Sequence, residues 1–245
     1  MWFFLTFSRF LSLMFYNHIY MNTNYRYNPV TIKIAYLSMM LALVILFNYL
    51  SNFMTVFQFL KLDLSSIFII ISFIYISKIG AISLALIRFG IGPSYSHLGY
   101  DPVSVLGHSI LLITTIILVL LLWLMMFLIK KVNTSFIKKQ VLVYSVSVII
   151  CSLIMFILNA LLFTPAYLYL FNSVKSIDFR PLAANWENMK WMTLGIENYW
   201  LGMFVLYSAF NLLSYGLNAL ASILLEIAFS KSNIIKPTIF KEKIN

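Results

Sequence analysis

The sequence predicts an all-α integral membrane protein with six transmembrane helices and both termini in the cytoplasm. Three observations lead there: composition, the lengths of the apolar runs, and the uneven placement of positive charge. Of 245 residues, 62% are hydrophobic and 10% are charged, where soluble domains have about 45–50% and about 25%. One soluble core of this size cannot hide that much apolar surface, so lipid has to solvate much of it.

The elements follow in chain order. Residues 1–30 form an N-terminal interfacial or cytoplasmic segment. Its stretch Trp2–Tyr16 is apolar and aromatic, too short to span, and carries Arg9. No basic start or small-residue cleavage site marks a signal peptide. It reads as an interfacial helix with Ser8, Arg9 and Ser12 towards water; the alternative is an over-long start, with Met21 as the true first residue. Residues 31–231 form the transmembrane domain. A span needs about 20 mostly apolar residues, and Thr31–Leu50, Val103–Ile129, Val141–Leu170 and Tyr199–Phe229 satisfy this plainly. Leu64–Ile91 is either one long tilted helix or two short ones. Ser77, Lys78 and Gly80 interrupt it and favour a hairpin. Residues 232–245 form a basic cytoplasmic tail.

Charge decides the ambiguous stretch. With the hairpin, twelve cations lie inside: Arg9, Arg26, Lys33, Lys78, Lys130, Lys131, Lys138, Lys139, Lys231, Lys236, Lys241 and Lys243. Five lie outside: Lys61, Arg88, Lys175, Arg180 and Lys190. A single span there would reverse every later loop, leaving seven inside, nine outside and Lys78 in lipid. The positive-inside rule selects six spans. Asp63, Asp101, Asp178, Glu187 and Glu197 also fall outside, so the outer face is near neutral. The net charge of +10 is therefore a topology signal and an affinity for anionic lipid, not a nucleic-acid footprint.

Several chemistries are not written in the chain. The lone Cys151 forms no internal disulfide. His18, His97 and His108 are scattered, without metal-ligand spacing. No GxxxxGK[ST] loop is present to cradle nucleotide phosphates. A membrane enzyme needs intramembrane clusters of His, Glu or Asp, and nearly every acid here lies in a loop. No catalytic residue, metal or cofactor is expected. The longest polar loop, Asn172–Asn198, holds Trp186, Trp191 and the helix breaker Pro181; it reads either as an interfacial loop with aromatic anchors or as a lid over an outward pocket.

Four segments go further than physics alone. The run Phe59-Leu60-Lys61-Leu62-Asp63-Leu64-Ser65-Ser66 enters a short helix. Ile79-Gly80-Ala81 precedes Arg88 by an apolar turn. Leu158-Asn159-Ala160 leads to Thr164-Pro165-Ala166-Tyr167, and Ala209-Phe210-Asn211-Leu212-Leu213-Ser214 lies in the last span. In this order they resemble segments of the substrate-binding S components of energy-coupling factor (ECF) vitamin transporters, in particular the riboflavin-binding branch. The resemblance covers Thr31 to Lys231. It departs from the family at Phe68, Ser77-Lys78 and Ala209, which stand where prolines or a Gly-Pro pair are expected. Ser214 stands where the family has a lysine that helps hold riboflavin.

The resemblance implies a bacterial plasma-membrane subunit that captures a vitamin, most simply riboflavin, on its outer face. It implies as partners a transmembrane coupling subunit and two ATP-binding-cassette ATPases. An S component for a different vitamin, or a non-transport scaffold of similar topology, is the alternative. Asp63 and Ser65 start the second helix, where either caps free backbone N–H groups or belongs to a loop closing on substrate. Asn159 and Asn211 are amides inside spans, read as interhelical contacts or as donors and acceptors for a ligand edge; Ser214 shares the Asn211 face. Asn218, on the same face and deeper, reads as structural. Arg88 is expected to snorkel to the headgroups, Glu226 to pair with an inner lysine, and His108 to be a structural histidine or a substrate contact. Ala35, Ser38 and Ala42 form a small-residue stripe on the first span, interrupted by Met39. It packs internally, or docks the coupling subunit as the resemblance implies.

Overall fold

The computed structural model describes residues 29–56 and 60–232. Trp2–Tyr16, Met21, Phe59 and the tail cations Lys236, Lys241 and Lys243 lie outside the described residues. The elements are α1 (Pro29–Leu50), a two-residue antiparallel ladder of β1 (Thr55–Val56) with β2 (Leu60–Lys61), α2 (Ser66–Tyr75), α3 (Lys78–Ile91) and α4 (Pro102–Ile129). Then come α5 (Phe136–Leu158), a π turn (Asn159–Phe163), α6 (Thr164–Leu170), α7 (Phe179–Ala184) and α8 (Tyr199–Ser232). The fold is thus all-α apart from the small ladder. Among the described residues, four helical stretches are long and apolar enough to cross a membrane: Val30–Phe53, Pro102–Ile129, Phe136–Leu170 and Tyr199–Phe229. This is a membrane protein.

Local chemistry explains the breaks. The ambiguous apolar stretch stops at Tyr75, where the Ser72 carbonyl accepts both the Ile76 and Ser77 N–H groups at 2.9 Å. Ser77 is extended, and its hydroxyl accepts the Gly80 N–H at 3.2 Å, capping α3. The hairpin therefore forms where the sequence is interrupted. Gly80 has a second role: a Cβ there would sit 2.6 Å from Leu37 Cδ1, so the glycine lets α3 approach α1. α4 opens with Asp101 accepting the Val103 N–H at 2.8 Å and Pro102 in the first turn. α5 begins at Phe136 rather than at Val141, with Lys138 and Lys139 in its first turn. Hydropathy marks where the hydrocarbon begins, while a helix can start earlier among polar residues that water and headgroups solvate. Pro165 lacks an N–H, and the π turn just before it absorbs the break in the ladder without ending the helix.

Pairwise contacts fix the directions. α1 and α3 run parallel: Leu37 lies beside Gly80, and Asn48 accepts from the Tyr95 hydroxyl at 2.6 Å. α4 and α5 are antiparallel, with Thr114 against Met155 and Gly107 against Tyr167. α5–α6 and α8 are antiparallel, with Tyr144 on Glu226 and Thr164 on Tyr207. α2 runs parallel to α8, since Asn218 holds the Asp63 carbonyl and Tyr75 meets Phe229 edge-on at 5.3 Å. Successive long elements alternate in direction.

The two ends of the bundle differ in charge. Lys33, Lys78, Lys130, Lys131, Lys138 and Lys139 gather at one, the lysine-rich end. At the other, Lys61, Lys175, Arg180 and Lys190 are matched by Asp101, Asp178, Glu187 and Glu197. The main core lies between α2 and its neighbours and includes Met40, Ile70, Ile74, Leu122, Tyr144 and Phe229. A second cluster of Leu182, Trp186, Tyr199, Met203, Leu206 and Tyr207 sits under the Asn172–Asn198 loop. Pro181 does not break a helix there. It lies in the first turn of α7, which Asp178 caps by accepting the Arg180 N–H at 3.0 Å, and a missing N–H costs nothing in a first turn. Trp186 is buried, donates Nε1–H to the Ile196 carbonyl at 3.0 Å and meets Tyr199 edge-on at 5.0 Å, whereas Trp191 is exposed. The loop is a packed cap.

Candidate functional site

An ionised side chain within the hydrocarbon needs a partner in the protein. Asp63 precedes the first helix of the hairpin and Arg88 lies in the last turn of the second, so the hairpin brings both to one height. Arg88 Nη1 and Asp63 Oδ2 are 3.1 Å apart, with side chains 1% and 3% exposed. Nη1 also reaches Ser65 Oγ at 2.7 Å and Ser66 Oγ at 3.2 Å, sharing two hydrogens among three acceptors. Nη2 donates to the Leu111 carbonyl at 3.1 Å and to Thr115 Oγ1 at 2.6 Å. Asp63 accepts the Ser65 N–H on Oδ1 at 2.9 Å and the Ser65 hydroxyl on Oδ2 at 2.8 Å. Asn218 Nδ2 closes the layer from α8, donating to the Asp63 and Ser214 carbonyls at 2.9 and 2.8 Å.

Arg88 therefore does not snorkel, contrary to expectation. Its partners Leu111 and Thr115 lie about 14 Å and about 20 Å along α4 from Pro102, at about 1.5 Å per residue. At that depth the guanidinium is held by five acceptors inside the protein. Glu226 is a second correction. It is fully buried and takes Gln140 Nε2–H on Oε2 at 2.5 Å and the Tyr144 hydroxyl on Oε1 at 2.6 Å, so neutral donors occupy both oxygens in place of a lysine.

The Asp63–Arg88–Asn218 layer is deep, and the helices around it go on. From Asn218 to the start of α8 at Tyr199 is about 28 Å of helix. α4, α5–α6 and α8 thus rise as walls above a charged floor. Buried polar atoms without a partner among the described residues occur above this layer: Asn211 Nδ2 and Ser208 Oγ on α8, His108 Nδ1 on α4, and Asn48 Nδ2 on α1. Others lie level with it or below: Asn218 Oδ1 and Ser222 Oγ on α8, and Ser147 Oγ and Ser152 Oγ on α5. Tyr95 stands among the upper group, its ring edge-on to His108 at 6.4 Å. Burial, then the Asp63 carboxylate, pushes the Tyr95 hydroxyl up to about 12, so it stays protonated and donates to Asn48 Oδ1. Gly92 leaves room for His108; a Cβ there would be 2.3 Å from Nδ1.

The expected site residues fall into three groups. Asp63 and Ser65 form the floor, and Ser214 joins it through Asn218. Asn211 lies one turn above Ser214, buried and with its amide donor free of partners among the described residues. Asn159 is on the opposite wall. The pairings of Thr164 with Tyr207 and Tyr144 with Glu226 set a register that brings it level with Asn211, but its Nδ2 donates to the Met155 carbonyl of its own helix at 2.7 Å. Asn218 ties two backbone carbonyls through Nδ2, while its Oδ1 is buried without a partner among the described residues. The Arg88 anchor, Thr115 and the Asn48–Tyr95 pair escaped the sequence reading. The signal for Arg88 was present: a hairpin puts its acid and its base at one end, and two charges at one depth in lipid pair.

Ala35, Ser38 and Ala42 are all exposed on α1, and the Ser38 hydroxyl bonds the Ile34 carbonyl of its own helix at 2.9 Å. Among the described residues nothing buries the stripe. Within the described part of α1 only Met40, Val44 and Asn48 are buried.

These features define a polytopic helical membrane protein with a buried charged layer and one capped end. The chain is similar to a Mycoplasma pneumoniae protein named "Uncharacterized protein MG350.1 homolog", with 27% identity over 81% of this chain and 88% of that protein. It is also similar to "Uncharacterized protein MG350.1" of Mycoplasma genitalium, with 40% identity over 22% of this chain and 25% of that protein. No family model and no solved structure matches.

Proposed function

We propose that the chain is the substrate-capture subunit of an ECF-type transporter, taking up riboflavin or a related vitamin through the bacterial plasma membrane. The observation that carries this is the set of buried, unpartnered polar atoms above the Asp63–Arg88 floor. An unpaired buried donor costs roughly 1–3 kcal/mol, and a ligand with a polar edge removes that cost. Asn211, His108, Ser208 and Asn48 are uncharged or weakly basic, which suits a neutral heteroaromatic ring bearing carbonyls and N–H groups.

The chain crosses the bilayer six times, with both termini and the lysine-rich end in the cytoplasm. Alternating helix directions and the unequal lysine distribution support this reading. α2 and α3 are about 15 Å and about 21 Å long, shorter than a hydrocarbon core of about 30 Å. The buried backbone around Leu62, Asp63 and Ser65 completes that crossing, and non-helical backbone at depth is tolerated where it is buried in protein. The chain has no GxxxxGK[ST] loop to cradle ATP phosphates by that route, so in this scheme partner subunits supply the energy. A coupling subunit docks on the exposed Ala35/Ser38/Ala42 face and links it to two ATPases.

Vesicles test the scheme. Those holding this chain alone should bind vitamin but not accumulate it, and uphill uptake should appear with the coupling subunit and ATPases. Ser38→Leu should weaken assembly by tenfold or more and leave binding intact. Accumulation by the chain alone contradicts the scheme, and assembly without vitamin binding points to a scaffold.

A further inference from the structure

Between the facing ends of α4 and α5, at the lysine-rich end, runs a groove of about 160 Å³. Met126, Ile129, Phe136 and Val143 give it apolar walls, and Lys130 and Lys139 line it with two ammonium groups. We propose that this groove binds one acidic glycerophospholipid, its phosphate between Lys130 and Lys139 and the start of an acyl chain along the apolar walls.

Three observations converge. First, neither lysine has an ion-pair partner among the described residues. Lys131 and Lys138 lie between them in the chain, so four cations fall within ten residues. Second, the nearby carboxylate does not cancel this field. Glu226 is fully buried and bonded to Tyr144 and to Gln140, whose side chain also borders the groove. Third, the lysines and the apolar walls adjoin at a helix end, where a lipid's charged and apolar parts also adjoin. A basic pocket between helices at the membrane surface is suited to a lipid phosphate. A free phosphate or a soluble nucleotide would use the lysines and leave the apolar walls uncovered. The occupant whose chemistry matches both surfaces is an anionic lipid.

The site is independent of any vitamin bound at the other end, so its test does not depend on that function. Full-length protein in neutral detergent is to be titrated with phosphatidylglycerol or phosphatidylcholine, and bound lipid counted by native mass spectrometry. Retention of one phosphatidylglycerol per chain, at least tenfold tighter than phosphatidylcholine, is expected. Lys130→Gln with Lys139→Gln should weaken that binding by tenfold or more, and Lys131→Gln with Lys138→Gln by less. Lys130, Lys131 and Lys138 are exposed and Lys139 is half-buried, and equal melting in lipid-free detergent verifies the fold. Should either double variant melt early, competition on the wild-type chain decides the matter. Inorganic phosphate and water-soluble glycerophosphoglycerol at millimolar concentration should not displace the lipid. Equal retention of both lipids, unchanged binding in the Lys130/Lys139 variant, or displacement by phosphate alone would each overturn the proposal; the last would make this a site for a soluble anion.

Discussion

Arg88→Met should cost the protein about 3–5 kcal/mol, because it leaves the Asp63 carboxylate buried without its cation. That is a large part of the roughly 5–15 kcal/mol that holds a typical domain together. The variant should melt early in detergent and lose the tie between the hairpin and α4, since Nη2 holds Leu111 and Thr115. Adding Asp63→Asn should restore at least half of the loss. The amide oxygen can still accept the Ser65 N–H, and no buried charge remains. Asp63→Asn alone should cost less than Arg88→Met, because the guanidinium keeps four other acceptors. Melting curves of the three variants decide it. A wild-type midpoint in Arg88→Met would mean that the guanidinium reaches the headgroups and that no charged floor exists.

Asn211→Ala should weaken riboflavin binding by at least 1 kcal/mol, about fivefold, since it takes an amide edge from a buried wall. Asn159→Ala should cost less, because that amide is engaged by the Met155 carbonyl. The Ser214 hydroxyl offers a neutral bond worth about 0.5–1.5 kcal/mol where a lysine offers about 1.5–3. Affinity should therefore be roughly tenfold below that of a lysine-bearing relative. Quenching of flavin fluorescence gives each constant. If the joint Asn159→Ala, Asn211→Ala variant binds as the wild type does, neither amide touches the ligand.

The elements legible in the sequence are those governed by local or composition-wide rules. Apolar length found α1, α4, α5–α6 and α8, and the Ser77-Lys78 interruption found the turn between α2 and α3. What stayed hidden depends on three-dimensional depth. Arg88 and Glu226 look alike as charges near the ends of apolar runs, where the sequence suggests snorkelling for the one and an inner lysine partner for the other. Their burial follows from how far α4 and α8 extend beyond them, which no single segment records. Pro181 misled for a different reason: a proline ends a helix or begins one, and the Asp178 cap immediately before the first turn is what distinguishes the cases. The small stripe of α1 was readable as a stripe, but only packing shows that it faces outward.

Capture of a flavin is tested most directly by the purified wild-type chain itself. The visible absorption spectrum is to be recorded after detergent extraction and gel filtration, with and without added riboflavin. A yellow preparation that carries close to one flavin per chain, or takes one up with its fluorescence quenched, is the expected result. A colourless preparation that leaves added riboflavin unbound and fully fluorescent contradicts flavin capture.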